Sequence, residues 1–99
     1  MGEDAVKIYL AGKMRGEPDL NYPAFNAAAQ KLRLEGHEVF NPAAANLESW
    51  PINKILAYEL TWLCEEAEAI ALLPGWSYSL GARAEHATAL AIGIEVILL

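Results

Sequence analysis

Lysine and arginine are scarce in this chain, cysteine occurs once, and no apolar run reaches the length of a membrane span. Seven basic residues stand against thirteen acidic ones, for a net charge of −6. Phosphate neutralisation along a polymer needs clustered Lys and Arg, so a nucleic-acid surface is not expected. A small anionic ligand held by one or two local groups stays open. Cys64 has no partner for an internal disulfide, and no Cys/His cluster has the spacing of a zinc site. Read as a small apolar residue on a helix, it needs no chemistry. A bilayer-crossing helix takes about 20 apolar residues, so no membrane partner is expected. The start, Met1-Gly2-Glu3-Asp4, is acidic and unlike a secretory signal. The expected compartment is the cytoplasm.

What is present is a high apolar fraction, 55% of 99 residues, enough for one buried core without staples. A single domain over 1–99 is expected. Residues 5–11 alternate and then turn apolar, as a buried strand does, and stop at Gly12. From 22 to 35, Phe25, Ala28, Ala29 and Leu32 form one helical stripe, with Asn21 placed to cap its start and Gly36 to end it. Residues 37–40 read as a second strand ended by Asn41-Pro42, and 43–51 as a connecting loop. A second helix over 52–66 carries the stripe Ile52, Ile55, Leu56, Leu60 and Leu63, with Glu59, Glu65 and Glu66 assigned to its wet edge. An apolar strand over 69–73, an Ala-rich helix over 80–92 ended by Gly93, and a strand over 95–99 complete the chain.

Strands that alternate with crossover helices imply a parallel sheet with right-handed connections. The expected fold is therefore α/β, a flavodoxin-like or Rossmann-like three-layer sandwich whose four parallel strands run in the order 2-1-3-4. Ligands bind such sheets beyond the carboxyl ends of the strands. That rule brings together residues 12–16, Asn41-Pro42 and residues 74–79.

Several residues in those loops have a functional and an ordinary reading side by side. Glu85 near the start of the third helix could be a nucleophile, or an acidic residue favoured there by the helix dipole. Ser79 could hold a phosphate beside free backbone N–H groups, or simply cap the helix. Gly12 and Gly16 let backbone approach a ligand, and Lys13 and Arg15 bring positive charge, but the spacing matches neither a Walker loop nor a dinucleotide fingerprint. Trp50 and Trp76 could stack on a base or form lids and subunit contacts. Tyr9 on the first strand reads as core unless Glu85 lies near it. His37 and His86 have no evident partner.

As an ordered set, several segments resemble a family. They are residues 7–12 (KIYLAG), 21–25 (NYPAF), 36–39 (GHEV) with Asn41-Pro42, 73–76 (LPGW) and 79–85 (SLGARAE). They are similar to a small branch of the nucleoside 2-deoxyribosyltransferase superfamily, over nearly the whole chain. The resemblance implies cleavage of the N-glycosidic bond of a nucleoside or nucleoside 5'-monophosphate, with a glutamate at position 85 attacking C1' and a tyrosine at position 9 orienting it. Ser79, six residues before Glu85, and a phosphate loop of Gly12, Lys13, Met14, Arg15 and Gly16 point to the monophosphate, as in the 2'-deoxynucleoside 5'-monophosphate N-glycosidases. Asn41, Trp76 and Gly81 join the expected substrate contacts. The proton for the departing base would come from an acid at the start of the third strand, where this chain has Glu68. No cofactor and no metal are implied. A homodimer or larger homo-oligomer is expected, since such relatives complete their sites across subunits. The alternatives are transfer between free nucleosides, or a non-catalytic nucleotide-sensing module; fold analogy alone would also admit a flavin.

Overall fold

The computed structural model describes residues 5–99. Strands β1 (Lys7–Ala11), β2 (Glu38–Phe40), β3 (Ala69–Leu72) and β4 (Glu95–Leu98) alternate with helices α1 (Tyr22–Leu34), α2 (Ile52–Glu65) and α3 (Leu80–Ile92). All strand pairs are parallel and the sheet order is β2-β1-β3-β4. The three-layer α/β arrangement and its strand order follow the sequence expectation. Among the described residues no helix is long and apolar enough to cross a membrane.

The period of two along the central strands builds two cores. Ile8, Leu10, Ala69 and Ala71 face α1, where they meet Phe25, Ala29 and Leu32. Tyr9, Ala11, Ile70 and Leu72 face the other way, towards Leu63 of α2 and Ala82 and Ala89 of α3. Small residues on α3 let its backbone come close to the sheet. Gly93 ends the helix at φ 78°, a left-handed conformation that glycine adopts without a Cβ penalty.

Three expectations change. Asn21 stands at the start of α1 but does not cap it; its side-chain amide donates to the Lys13 carbonyl at 2.9 Å. Asp19, Leu20 and Asn21 all have positive φ, 53°, 54° and 60°, a left-handed turn that swings the chain back over residues 13–17. Along α2 the apolar stripe divides. Leu63 is buried and Leu60 packs beside it, whereas Ile52 is exposed and Ile55 and Leu56 are partly so. Cys64 stands on α2, as expected, and is exposed. Within residues 43–51 the connection begins as a 3₁₀ turn, Pro42–Ala44, capped by the Asn41 side chain.

Gly12 follows β1 at the point where the chain leaves the sheet. A Cβ there would lie 3.0 Å from Leu73 Cβ and 3.1 Å from Phe25 Cζ, both in the packed interior. Overpacking of this kind costs about 1–3 kcal/mol. Gly12→Ala should therefore lower the urea midpoint by an equivalent amount; a midpoint equal to wild type would contradict the close packing.

Candidate active site

β3 leads through Leu73, Pro74 and Gly75 into a 3₁₀ turn, Trp76–Tyr78, and then into α3. Ser79 is the residue before the helix, and its Oγ accepts from the Ala82 N–H at 3.1 Å. Capping is thus its structural role, and the other first-turn N–H groups stay free for an anion. Buried positions on α3 fall at Ala82, Glu85 and Ala89, the face turned towards the sheet. A carboxylate therefore sits in the apolar stripe itself, only 5% exposed.

Tyr9 meets it from the sheet. Its side chain is fully buried, and its hydroxyl donates to Glu85 Oε2 at 2.8 Å. The ring is held by a stack on Phe40, centroids 5.2 Å apart, and by a tilted contact with Trp62. Register fixes this placement, because Tyr9 lies beside Phe40 of β2 and Ile70 of β3. Burial, then the negative charge of Glu85, push the phenol well above its usual range, so Tyr9 keeps its proton and stays a donor.

The third member is Glu59 of α2, which sequence reading placed on the wet edge. It is half-buried and near enough for its charge to raise both Glu85 and Tyr9. A signal for this was present. Glu59 is three residues after Leu56 and four before Leu63, so helical geometry puts it in the middle of the apolar stripe. Burial raises the Glu59 carboxyl. Burial, reinforced by the Glu59 charge, raises Glu85 well above the ordinary carboxylate range. The Tyr9 hydrogen bond opposes the rise at both carboxyls, and Glu85, the more deeply buried of the two, is raised the further.

Glu68 lies elsewhere. It precedes β3 at the amino end of the parallel sheet, opposite the loops, where its Oε1 accepts from the Lys7 N–H at 2.9 Å. It is exposed and closes the start of β1. The structure does not bring it to Glu85.

Glu85 opens on a cleft of about 450 Å³. Gly12, Lys13, Met14 and Arg15 form one wall, Ser79, Gly81 and Ala82 another, and Ile52 and Leu56 of α2 a third. The divided stripe of α2 is thereby explained, since its first half lines the cleft while its second half packs in the core. Lys13 Nζ is held within its own loop, donating to the Arg15 carbonyl at 2.6 Å and lying 3.4 Å from Glu17. Arg15 is exposed and contributes its charge to the wall.

Other expected contacts are committed to the scaffold. Gly16, at φ 86°, shapes the loop without lining the cleft. Asn41 is buried, donating to Asn26 Oδ1 and accepting from the Ala43 N–H, and its neighbour Pro42 lines the cleft instead. Trp76 packs on His86, and Tyr78 takes its place at the rim. His37 accepts the Val6 N–H through Nδ1.

The raised Glu85 carboxyl sets a pH signature. Its contribution to stability is full below the ordinary carboxylate pKa of the unfolded chain and is lost as pH rises through the higher folded value. Glutamine in its place cannot titrate. The melting temperature of Glu85→Gln relative to wild type should rise as pH is raised above the ordinary carboxylate range; a difference that stays flat from there upward would contradict the shift.

Comparison with curated proteins finds no match. A family profile described as a domain of unknown function, DUF4406, matches residues 6–98, from the residue before β1 to the end of β4. The chain therefore belongs to the DUF4406 family.

Proposed function

We propose that the protein cleaves the N-glycosidic bond of a nucleoside 5'-monophosphate. The observation that carries this reading is the buried Glu85, hydrogen-bonded to Tyr9, beside a second carboxyl, on a cleft with a cationic loop and a helix start at its wall. The resemblance to the nucleoside 2-deoxyribosyltransferase superfamily points the same way.

Glycosidic cleavage passes through an oxocarbenium-like state that an adjacent carboxylate stabilises and traps. The Glu85 carboxylate attacks C1', the C1'–N bond breaks, and its electron pair leaves with the base. Glu59, not Glu68, carries the proton that the departing nitrogen takes up. Water then attacks the glycosyl ester at C1' and gives a proton to Glu59, and the Glu85 carboxylate is restored. A second base in place of water makes the same intermediate a transferase. Tyr9 is a positioning residue that holds Glu85 oriented in both half-reactions. Arg15 and the N–H groups at the start of α3 suit the phosphate. A non-catalytic pocket is the alternative, and the presence of Glu59 near Glu85 supports the catalytic reading over it.

The cleft is open at its mouth, where Tyr78, Leu80 and Ile52 are exposed apolar side chains. A second copy of the chain closing over this rim fits them, and a monomeric mass by light scattering at assay concentration would remove this part of the proposal.

Wild-type protein incubated with ribo- and deoxynucleoside 5'-monophosphates should release free base, faster than from the matching nucleosides. Glu85→Ala should be inactive, and Glu59→Gln should lose about 10²–10⁴-fold in kcat. No base released by wild type from any substrate overturns the activity; full activity in Glu85→Ala overturns the mechanism.

A further inference from the structure

The main cleft holds groups for a phosphate and for C1' but little that could read a base. Arg15 and the N–H groups at the start of α3 suit an anion, Glu85 the sugar carbon, and the walls between them are Ala11, Phe25, Leu56 and Ala82. Adjoining it, and sharing Met14, Arg15 and Pro42, is a second lobe of about 280 Å³ under the connection that follows β2. Leu20, Leu47 and Ile55 give this lobe apolar sides, and Tyr22 and Glu48 are its uncharged and charged hydrogen-bonding groups opposite Arg15. Burial, then the Glu48 charge, raises the Tyr22 phenol. Ile55 of α2 lines the lobe, one helical turn before Glu59.

An ionised carboxylate only accepts hydrogen bonds. Guanine presents a ring N–H and an amino group side by side, two donors that match two carboxylate oxygens. Adenine and cytosine set a ring acceptor beside the amino group, and uracil and thymine flank their N–H with carbonyls, so each turns a lone pair towards the carboxylate. Resting on the glycosidase reading, we infer that the second lobe is the nucleobase subsite and that Glu48 selects guanine nucleotides.

The test is kcat/KM for base release from guanosine, inosine, adenosine, cytidine and uridine 5'-monophosphates, and from their deoxy counterparts, with wild type and Glu48→Gln. Guanine should lead adenine by roughly tenfold to hundredfold, the worth of a bidentate contact, with inosine, which lacks the amino group, between them. In Glu48→Gln the guanine-to-adenine ratio should fall towards one. Glu48 is exposed, so this variant should keep the wild-type melting temperature. No guanine preference in wild type, or an unchanged ratio in the variant, overturns the assignment. Should wild type release no base at all, the glycosidase reading fails and calorimetry with guanosine and adenosine 5'-monophosphates decides the subsite. Guanine-selective binding that Glu48→Gln removes supports it, and equal binding or none overturns it.

Discussion

The hydrogen bond from Tyr9 to Glu85 is the constraint on which the arrangement of this protein turns. A carboxylate with 5% exposure, between an apolar sheet and an apolar helix, is costly unless it is hydrogen-bonded or protonated. The phenol supplies the first, and burial, which holds the Glu85 carboxyl well above the ordinary carboxylate range, favours the second. To deliver the phenol, a tyrosine must occupy the middle of a central strand, where a purely apolar residue would pack as well. To deliver the carboxylate, α3 must approach closely, and Ala82 and Ala89 on its inner face allow that.

The two cores divide the labour. The α1 side is an ordinary apolar interior of Phe25, Leu32, Ile8 and Leu10. The α2–α3 side mixes packing with polar groups, and α2 in particular serves two surfaces. Its last turns hold Leu63 against the sheet, while its first turns leave Ile52 and Leu56 facing the cleft. A helix that is half core and half binding wall gives up burial, and a hydrogen-bonded polar cluster beside it rigidifies the remainder.

Much of this was legible in the chain. Strand–helix alternation and the apolar run at 69–73 gave the parallel sheet and its order, and Gly93 and Ser79 marked the ends of α3. Glu85 was legible as a site because helix starts after parallel strands gather at one sheet edge. Two carboxylates were misread, each for an identifiable reason. Glu59 was judged by its charge, although its spacing from Leu56 and Leu63 put it inside the apolar stripe. Glu68 was taken as the match to an acid at the start of the third strand in the resembling family, but here it precedes the strand and stands at the opposite edge from the loops that follow the strands. The internal engagements of Asn41 and Asn21 depend on partners 15 and 8 residues away, and no local pattern announces those.

The left-handed run at Asp19, Leu20 and Asn21 bears on how this loop could evolve. Non-glycine residues in that region cost of order 1–3 kcal/mol each, and they persist where surrounding contacts over-determine them. Leu20→Gly would relax the turn at its centre and leave its backbone freer to take other shapes. A gain in folding stability and a loss of preset shape in the cationic wall would then come from one substitution. The loop trades folding stability for a preset shape beside the cleft.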